Sequence, residues 1–269
     1  MSGEPDIVVR WEVPAAHAED RCAQLWAAGA AAVEWSDGPG GSVTLVAGMP
    51  TAEAAHRVAA ELGAQALEID PATWRDEWRR HATAVEVAPG LVVAPTWKEI
   101  PAGPLVLRID PGHCFGSGSH PSTRLVLAAL AETPPTGLDV LDIGTGSGIL
   151  AVAAARLGAA SVTAVDIEAD AVPVTEANAA ANGVAGRVAV STTPVEQLRS
   201  EHDLVLVNVT AGVHAAIGPA ATARARPGAR LILAGLLPGQ WRHVAANYGA
   251  CRVVEHRDLD GWEGLILRR

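Results

Sequence analysis

Hydrophobic and polar positions alternate in two different ways along the chain. In the first part, short apolar runs and amphipathic segments follow one another in the order β-α-β-β-α-β. Strands are predicted at 7–13, 31–35, 42–47 and 66–69, and helices at 15–28 and 54–62. Gly29 and Gly63 are placed to end the two helices, and Thr51 to begin the second. This order predicts a small N-terminal ferredoxin-like α+β domain over residues 1–70.

From residue 105 onward, β-branched runs alternate with alanine-rich helical segments. Strands are predicted at 105–109, 140–143, 161–165, 188–191, 203–207 and 230–236, and helices at 122–130, 150–157, 169–181, 213–225 and 238–248. The last two predicted strands, 251–256 and 265–268, have no helix between them and should pair antiparallel at one edge. Repeated βα units that finish in a hairpin predict a Rossmann-like, doubly wound α/β sheet over residues 105–269.

Residues 71–104 are predicted to form a linker helix and a β-hairpin between these two parts. Trp74 and Trp78 are four residues apart and therefore share a helix face. This pattern favours a helix that packs between domains. A stacking platform for nucleic acid is the other interpretation, and the net charge of −10 disfavours it.

Composition narrows the class of protein further. The 269 residues are 49% hydrophobic, so they can bury a sizeable core. The net charge of −10 provides no attraction to nucleic acid or to an anionic membrane, and we expect neither as a direct partner. Three scattered cysteines argue against a disulfide framework and suit a reducing compartment. Without a signal peptide or an apolar run of about 20 residues, we expect a soluble, cytoplasmic monomer.

A glycine-rich turn carries the first candidate chemistry. Gly144, Gly146 and Gly148 follow an apolar strand, and Asp166 ends the next strand 22 residues after Gly144. Glycines leave no Cβ between the main chain and a ligand, and an acid at this distance suits the ribose of a nucleoside. Position 149 is Ile where the dinucleotide fingerprint has glycine, so a nucleoside without pyrophosphate fits better than NAD or FAD. A tight turn without a ligand is the alternative, and Asp166 disfavours it.

A loop rich in Gly, Ser and His covers residues 110–123. An interdomain connector is one interpretation. Three glycines, two histidines and the only Phe of the chain favour a mobile lid over a site. His113 and His120 have no third ligand near them in the sequence, so we expect no metal site.

Asn208 follows the strand predicted at 203–207. Asn is common in turns at strand ends. In a doubly wound sheet, however, ligands bind beyond the carboxyl ends of the strands. This rule places Gly144, Asp166 and Asn208 around one crevice, which favours a role in the site.

These residues resemble a known family. Residues 144–148 with Asp166 are similar to class I S-adenosylmethionine-dependent methyltransferases. Residues 110–112 and 115–123 resemble the Gly-Thr-Gly-Thr-His-Pro-Thr-Thr loop of the PrmA family, the methyltransferases of the eleventh large-subunit ribosomal protein. Further similar segments are 18–36, 74–97, 141–150, 178–183 and 208–212. The sequence departs from the family pattern at Ser117 and Ser119, at His113-Cys114, at Val209-Thr210, and in its short N-terminal domain.

The resemblance implies S-adenosyl-L-methionine as cofactor and methyl transfer to lysine side chains and the N-terminal amine of the ribosomal protein. It also implies that the N-terminal domain recognises this substrate. The predicted cofactor-binding residues are Phe115, Thr123, Gly144, Gly146, Asp166 and Asn208. Asn208 is the predicted catalytic residue, because related enzymes place it between the cofactor and the incoming amine.

Methyl transfer from a sulfonium needs alignment, water exclusion and a neutral amine rather than a Ser-His-Asp constellation. The neighbours of Asn208 differ from the Asn-Pro-Pro-Tyr tetrad, which argues against a nucleobase or glutamine target. Two alternatives remain open. One is a related methyltransferase acting on another protein lysine or on a small molecule, and the other is a nucleotide-binding module without catalysis.

Overall fold

The computed structural model describes residues 6–30, 32–49, 51–69, 83–99, 105–112 and 114–269. The chain forms two compact units, Met1–Ala82 and Thr83–Arg269. The predicted Trp74/Trp78 helix and His113 lie outside the described residues. Within the described ranges, no helix is long and apolar enough to cross a membrane.

The first unit contains one antiparallel sheet and two helices. Its elements are β1 (Asp6–Pro14), α1 (Ala18–Ala27), β2 (Ala32–Asp37), β3 (Ser42–Gly48), α2 (Ala52–Leu62) and β4 (Gln65–Ile69). The strand order is β2-β3-β1-β4, and all neighbours are antiparallel. Thr51 Oγ1 accepts from Ala54 N at 3.1 Å, and Gly63 ends α2 at φ +66°. The order of elements is the one that the hydrophobic pattern predicts.

The second unit opens with a small three-stranded sheet. It consists of β5 (Val85–Ala88), β6 (Leu91–Pro95) and β7 (Leu105–Ile109). β5 and β6 pair antiparallel, as the predicted hairpin requires, and β6 then pairs parallel with β7. The hairpin thus belongs to the same sheet as β7.

The large sheet of the second unit has seven strands. These are β8 (Asp139–Ile143), β9 (Ser161–Val165), β10 (Val188–Ser191), β11 (His202–Asn208), β12 (Ala225–Leu236), β13 (Arg252–Leu259) and β14 (Trp262–Arg268). The helices are α3 (Pro121–Glu132), α4 (Ile149–Arg156), α5 (Ala171–Ala181), α6 (Ala211–Ala223) and α7 (Trp241–Ala246). The order is β10-β9-β8-β11-β12-β14-β13, with only β14 antiparallel to its neighbours. The predicted doubly wound sheet with an antiparallel terminal hairpin is confirmed.

Some element boundaries differ from the prediction. β12 begins at Ala225 rather than at 230, because Ala225 pairs with His202 at the start of β11. α7 is shorter than the predicted 238–248, and Gly239 just before it has φ +85°. α5 begins at Ala171, so Pro173 stands in the first turn, where N–H groups have no acceptor within the helix. Pro173 therefore does not strain α5.

The strand order locates the functional edge of the sheet. The chain runs outward from β8 through β9 to β10 and then crosses back to β11 on the other side of β8. The loops after β8 and β11 therefore leave the sheet in opposite directions and open a crevice at its carboxyl edge. Two hydrophobic clusters hold this part of the sheet in place. Both contain side chains of β8 and β11, and α4 is buried in the first of them.

Candidate functional site

The turn after β8 is built on glycines whose backbone conformation other residues rarely adopt. Gly144 and Gly146 have φ +71° and +53°, a region that side chains disfavour. A Cβ on Gly144 would lie 2.7 Å from Val209 Cγ1, and one on Gly146 would lie 2.7 Å from the carbonyl oxygen of Phe115. The turn therefore packs closely against Val209 and Phe115.

Asp166 stands at the tip of β9 and faces this turn. Its Oδ2 accepts a hydrogen bond from Gly146 N at 2.8 Å, and its Oδ1 accepts one from Glu168 N at 3.1 Å. The side chain is half-buried. An ionised carboxylate has about four lone-pair sites, so both oxygens can still accept from hydroxyl groups of a ligand.

Asp142 is a buried acid at the same turn that the sequence interpretation did not assign. It is fully buried, and its Oδ2 accepts from Thr145 Oγ1 at 2.6 Å and from Ala151 N at 3.1 Å. Its Oδ1 has no hydrogen-bond partner among the described residues. Burial raises the pKa of Asp142 to about 7. A single acid inside an apolar strand run was the signal that could have identified it.

The loop between β7 and α3 packs on the glycine turn through Ser147. Ser147 N donates to Phe115 O at 3.0 Å, and Ser147 Oγ donates to Gly116 O at 2.7 Å. Gly116 and Gly118 have φ +107° and +92°. A Cβ on Gly118 would lie 2.6 Å from Val93 Cγ1. The predicted lid therefore lies directly against the predicted cofactor turn.

Two asparagines at the end of α5 hold the start of this loop. Asn182 Oδ1 accepts from Arg108 N at 2.9 Å, and its Nδ2 donates to Arg108 O at 2.7 Å. Asn178 makes the same pair of bonds with Asp110, both at 2.9 Å. Asn178 Nδ2 also donates to Ser147 O at 2.8 Å. The two side chains pair with the end of β7 as a neighbouring strand would, and Asn178 connects it to the glycine turn.

Thr123 and Asn208 meet at the other side of the crevice. Thr123 is fully buried in the first turn of α3, and Asn208 is half-buried at the end of β11. Asn208 Nδ2 donates to Thr123 Oγ1 at 3.3 Å. His120 caps α3, with Nδ1 2.8 Å from Ser122 Oγ. The sheet edge and the first turn of α3 are thus joined through the amide of Asn208.

Three aromatic rings extend from the lid to the start of β14. The rings of Phe115 and His120 lie 5.1 Å apart, and those of His120 and Trp262 lie 4.5 Å apart, both edge-to-face. Burial lowers the pKa of His120 to about 4, so the ring is neutral at pH 7. Trp262 was not predicted, because only the antiparallel return of β14 brings it to this edge.

Cysteine and metal-ligating side chains are the other groups that could be reactive near this site. Burial and the nearby carboxylate of Asp166 raise the pKa of Cys114 to about 11, so its thiol stays protonated and is a poor nucleophile. No group of three His, Cys, Asp or Glu side chains that could hold a metal ion occurs in the described ranges. The arrangement suits binding and alignment of a ligand.

The structure thus brings all six predicted site residues to one edge. Gly146 lies close to the backbone of Phe115 and donates its N–H to Asp166. Thr123 and Asn208 form the second group. The two groups meet where Val209, the residue after Asn208, packs against the turn at Gly144. The crevice therefore has a side suited to a nucleoside and a side lined by the Asn208 amide.

Comparisons with known proteins agree on one family. The model of the family described as ribosomal protein L11 methyltransferase (PrmA) matches residues 46–269. A protein of that name from Geotalea uraniireducens (strain Rf4) is 38% identical over 72% of this chain and 67% of its own length. One from Geobacter sp. (strain M21) is 41% identical over 73% of this chain and 67% of its own length.

A solved structure has the same fold. The crystal structure of ribosomal protein L11 methylase from Lactobacillus delbrueckii subsp. bulgaricus superposes with a TM-score of 0.64 at 27% identity. The match covers 70% of this chain and 98% of that chain.

Proposed function

The chain belongs to the ribosomal protein L11 methyltransferase (PrmA) family, and on this premise we propose that it transfers methyl groups from S-adenosylmethionine to amines of ribosomal protein L11. One observation carries the proposal. Asp166 faces Gly146 across the glycine turn, while Ser147 in the same turn holds the lid loop at Phe115 and Gly116. A nucleoside site and its cover are thus built on one stretch of backbone.

The residues of the turn fit this cofactor. Glycines at 144 and 146 allow the positive φ angles of the turn and its close packing against Val209 and Phe115, and Asp166 offers acceptors for the two ribose hydroxyls. Phe115 and Thr123 would hold the cofactor from the lid side, and Asn208 would contact it from the end of β11. When bound, S-adenosylmethionine supplies an electrophilic methyl group on a sulfonium.

Asn208 would orient the amine that accepts the methyl group. Its Nδ2 donates to Thr123 Oγ1, which fixes the amide plane and leaves Oδ1 as an acceptor for an amine N–H. A hydrogen bond to Oδ1 would point the nitrogen lone pair away from Asn208. Such alignment is the main contribution that in-line displacement requires.

The amine must be neutral to react. A lysine amine has a reference pKa of about 10.4, and desolvation favours its neutral form. Val209 directly follows Asn208, the rings of Phe115 and His120 lie in the lid, and Trp262 packs against His120. These groups would exclude water from the site. In the reaction the N–C bond forms, the S–C bond breaks, and the amine releases one proton to solvent.

Two other functions are compatible with parts of this site. A related methyltransferase acting on another protein or a small molecule would share the same turn, lid and Asn208. A binding module without catalysis would not need the Asn208–Thr123 arrangement. We place the activity in the cytoplasm, where ribosomal proteins are made, and propose that the enzyme acts as a monomer.

Incubation with methyl-labelled S-adenosylmethionine tests the proposal. We expect label in purified L11 with the wild-type protein, and little label with Asn208→Ala, which removes the orienting amide. Label in a small-molecule fraction but not in L11 would favour the first alternative. Cofactor binding without any transfer would favour the second.

A further inference from the structure

A buried histidine and a buried tyrosine lie behind the end of β11 and take no part in the chemistry described above. His214, in the first turn of α6, and Tyr248, after α7, are both fully buried. His214 Nδ1 lies 2.8 Å from the hydroxyl of Tyr248, and His214 Nε2 lies 2.9 Å from the carbonyl oxygen of Ala234. Both ring nitrogens are therefore satisfied inside an otherwise apolar layer.

The direction of these bonds follows from their chemistry. A backbone carbonyl only accepts, so Nε2 carries the proton and donates to Ala234. Nδ1 then accepts from the Tyr248 hydroxyl. Burial lowers the pKa of His214 to about 4 and raises the pKa of Tyr248. Both groups stay neutral at physiological pH, and the chain of bonds runs from Tyr248 through His214 to Ala234.

The carbonyl of Ala234 is shared with the strand that carries Asn208. Val209 N also donates to it, at 3.3 Å. In the parallel ladder between β11 and β12, Ala234 is the partner of Asn208 itself. The imidazole of His214 and the peptide N–H between Asn208 and Val209 thus donate to the same carbonyl oxygen, that of Ala234.

Val209 has little freedom to move independently of this carbonyl. A Cβ on Gly235 would clash with Val209 O, so β12 and the Val209 backbone are in close contact. On the other side, Val209 Cγ1 lies only 2.7 Å from the position that a Cβ on Gly144 would take. A shift of Ala234 would therefore be transmitted to both Asn208 and the glycine turn.

We propose that His214 is a positioning residue for methyl transfer, because it fixes the Ala234 carbonyl and with it the Asn208–Val209 peptide. The inference rests on the proposed function, in which Asn208 orients the amine. If His214 were simply a core residue, its replacement would lower stability without a selective effect on the reaction.

A pair of amide substitutions separates the two explanations. The side-chain amide of Gln extends one bond further from the backbone than that of Asn and reaches about as far as Nε2 of histidine. In His214→Gln the amide can therefore donate to Ala234 O as His214 Nε2 does. His214→Asn is too short to reach Ala234 but can still face Tyr248. His202→Asn is the matched control, since His202 is also buried, with 3% of its surface exposed, and lies at the opposite end of β11.

We expect His214→Asn to lower kcat by about 10- to 100-fold, the range that a displacement of about 1 Å can cause. The Kd for S-adenosylmethionine should stay within about threefold, because Asp166 and the turn are retained. His214→Gln should restore kcat to within about threefold of wild type. His202→Asn should lower thermal stability without this loss of kcat.

Several results would overturn the proposal. These are a wild-type kcat for folded His214→Asn, equal losses in the Gln and Asn variants, or the same loss in His202→Asn. If His214→Asn does not fold, Tyr248→Phe takes its place, since it removes the hydroxyl that orients the ring. An unchanged kcat in folded Tyr248→Phe then overturns the proposal.

A second measurement does not depend on activity. Hydrogen exchange at the Val209 amide should be faster in His214→Asn than in wild type or in His202→Asn, because its acceptor at Ala234 loses its support. Unchanged exchange would refute the positioning role even if L11 is not the substrate. Absence of transfer by the wild-type protein, with altered exchange in His214→Asn, would refute the proposed function alone.

Discussion

At the scale of single residues, the carboxylate of Asp166 is the most direct link between sequence and proposed cofactor. We predict that Asp166→Ala weakens S-adenosylmethionine binding by about 1.5–3 kcal/mol, the contribution typical of hydrogen bonds to a charged group. Calorimetric titration measures the change. Asp166→Asn is the control for shape, since it keeps the volume and removes the charge. Unchanged affinity in Asp166→Ala would contradict the assignment.

Asp142 provides a pH-dependent prediction. Burial raises its pKa from 3.8 to about 7, so the folded state binds a proton more tightly than the unfolded state. The free energy of unfolding of the wild type, relative to Asp142→Asn, should therefore fall as the pH rises from about 4 to about 7 and level off above it. Urea unfolding at several pH values measures this difference. A difference that stays constant from pH 4 to pH 7 would rule out the raised pKa.

Some site residues could be predicted from the sequence and others could not. Gly144, Gly146 and Asp166 were predictable because a turn and a strand tip at fixed spacing must meet in a βαβ unit. Trp262 and Asn178 were not, because their partners, His120 and Ser147, are distant in the chain. The ligand contacts of the six predicted residues stay predictions.

At the scale of elements, the lid loop is tied to the glycine turn by Ser147, whose N donates to Phe115 O and whose Oγ donates to Gly116 O. We predict that hydrogen exchange over residues 114–123 slows when S-adenosylmethionine is added, because the cofactor would contact both segments. Exchange mass spectrometry with and without cofactor measures this. Identical rates would argue against a lid.

Asn178 should matter more for this loop than Asn182 does. Both side chains pair with β7, but only Asn178 also donates to Ser147 O. We predict that Asn178→Ala lowers the free energy of unfolding by about 1–3 kcal/mol and speeds exchange in the glycine turn. Asn182→Ala is the control, with a comparable loss of stability and unchanged exchange in the turn. Equal exchange in both variants would show that Asn178 does not couple the loop to the turn.

Element types were easier to predict than element ends. The alternation of apolar runs and helical segments identified each strand of the large sheet. The start of β12 at Ala225 depends on pairing with His202 on another strand, which no local pattern records. Likewise, the pairing of β6 with β7 depends on contacts between separate segments of the chain and not on a local sequence pattern.

At the scale of the whole molecule, every predicted cofactor residue lies in the second unit. We predict that fragment 71–269 binds S-adenosylmethionine but no longer methylates intact L11, because residues 1–70 would carry substrate recognition. Circular dichroism must first show that the fragment folds. Methylation of L11 by the folded fragment at the full-length rate would show that the first domain is not needed for recognition.

Mass spectrometry of ribosomal protein L11 after incubation with S-adenosylmethionine shows whether this crevice methylates the amines of that protein. We expect added methyl groups on lysine side chains or the N-terminal amine with the wild-type protein, and few or none with Asn208→Ala. Unmodified L11, in the presence of a wild-type protein shown by calorimetry to bind the cofactor, would contradict this expectation.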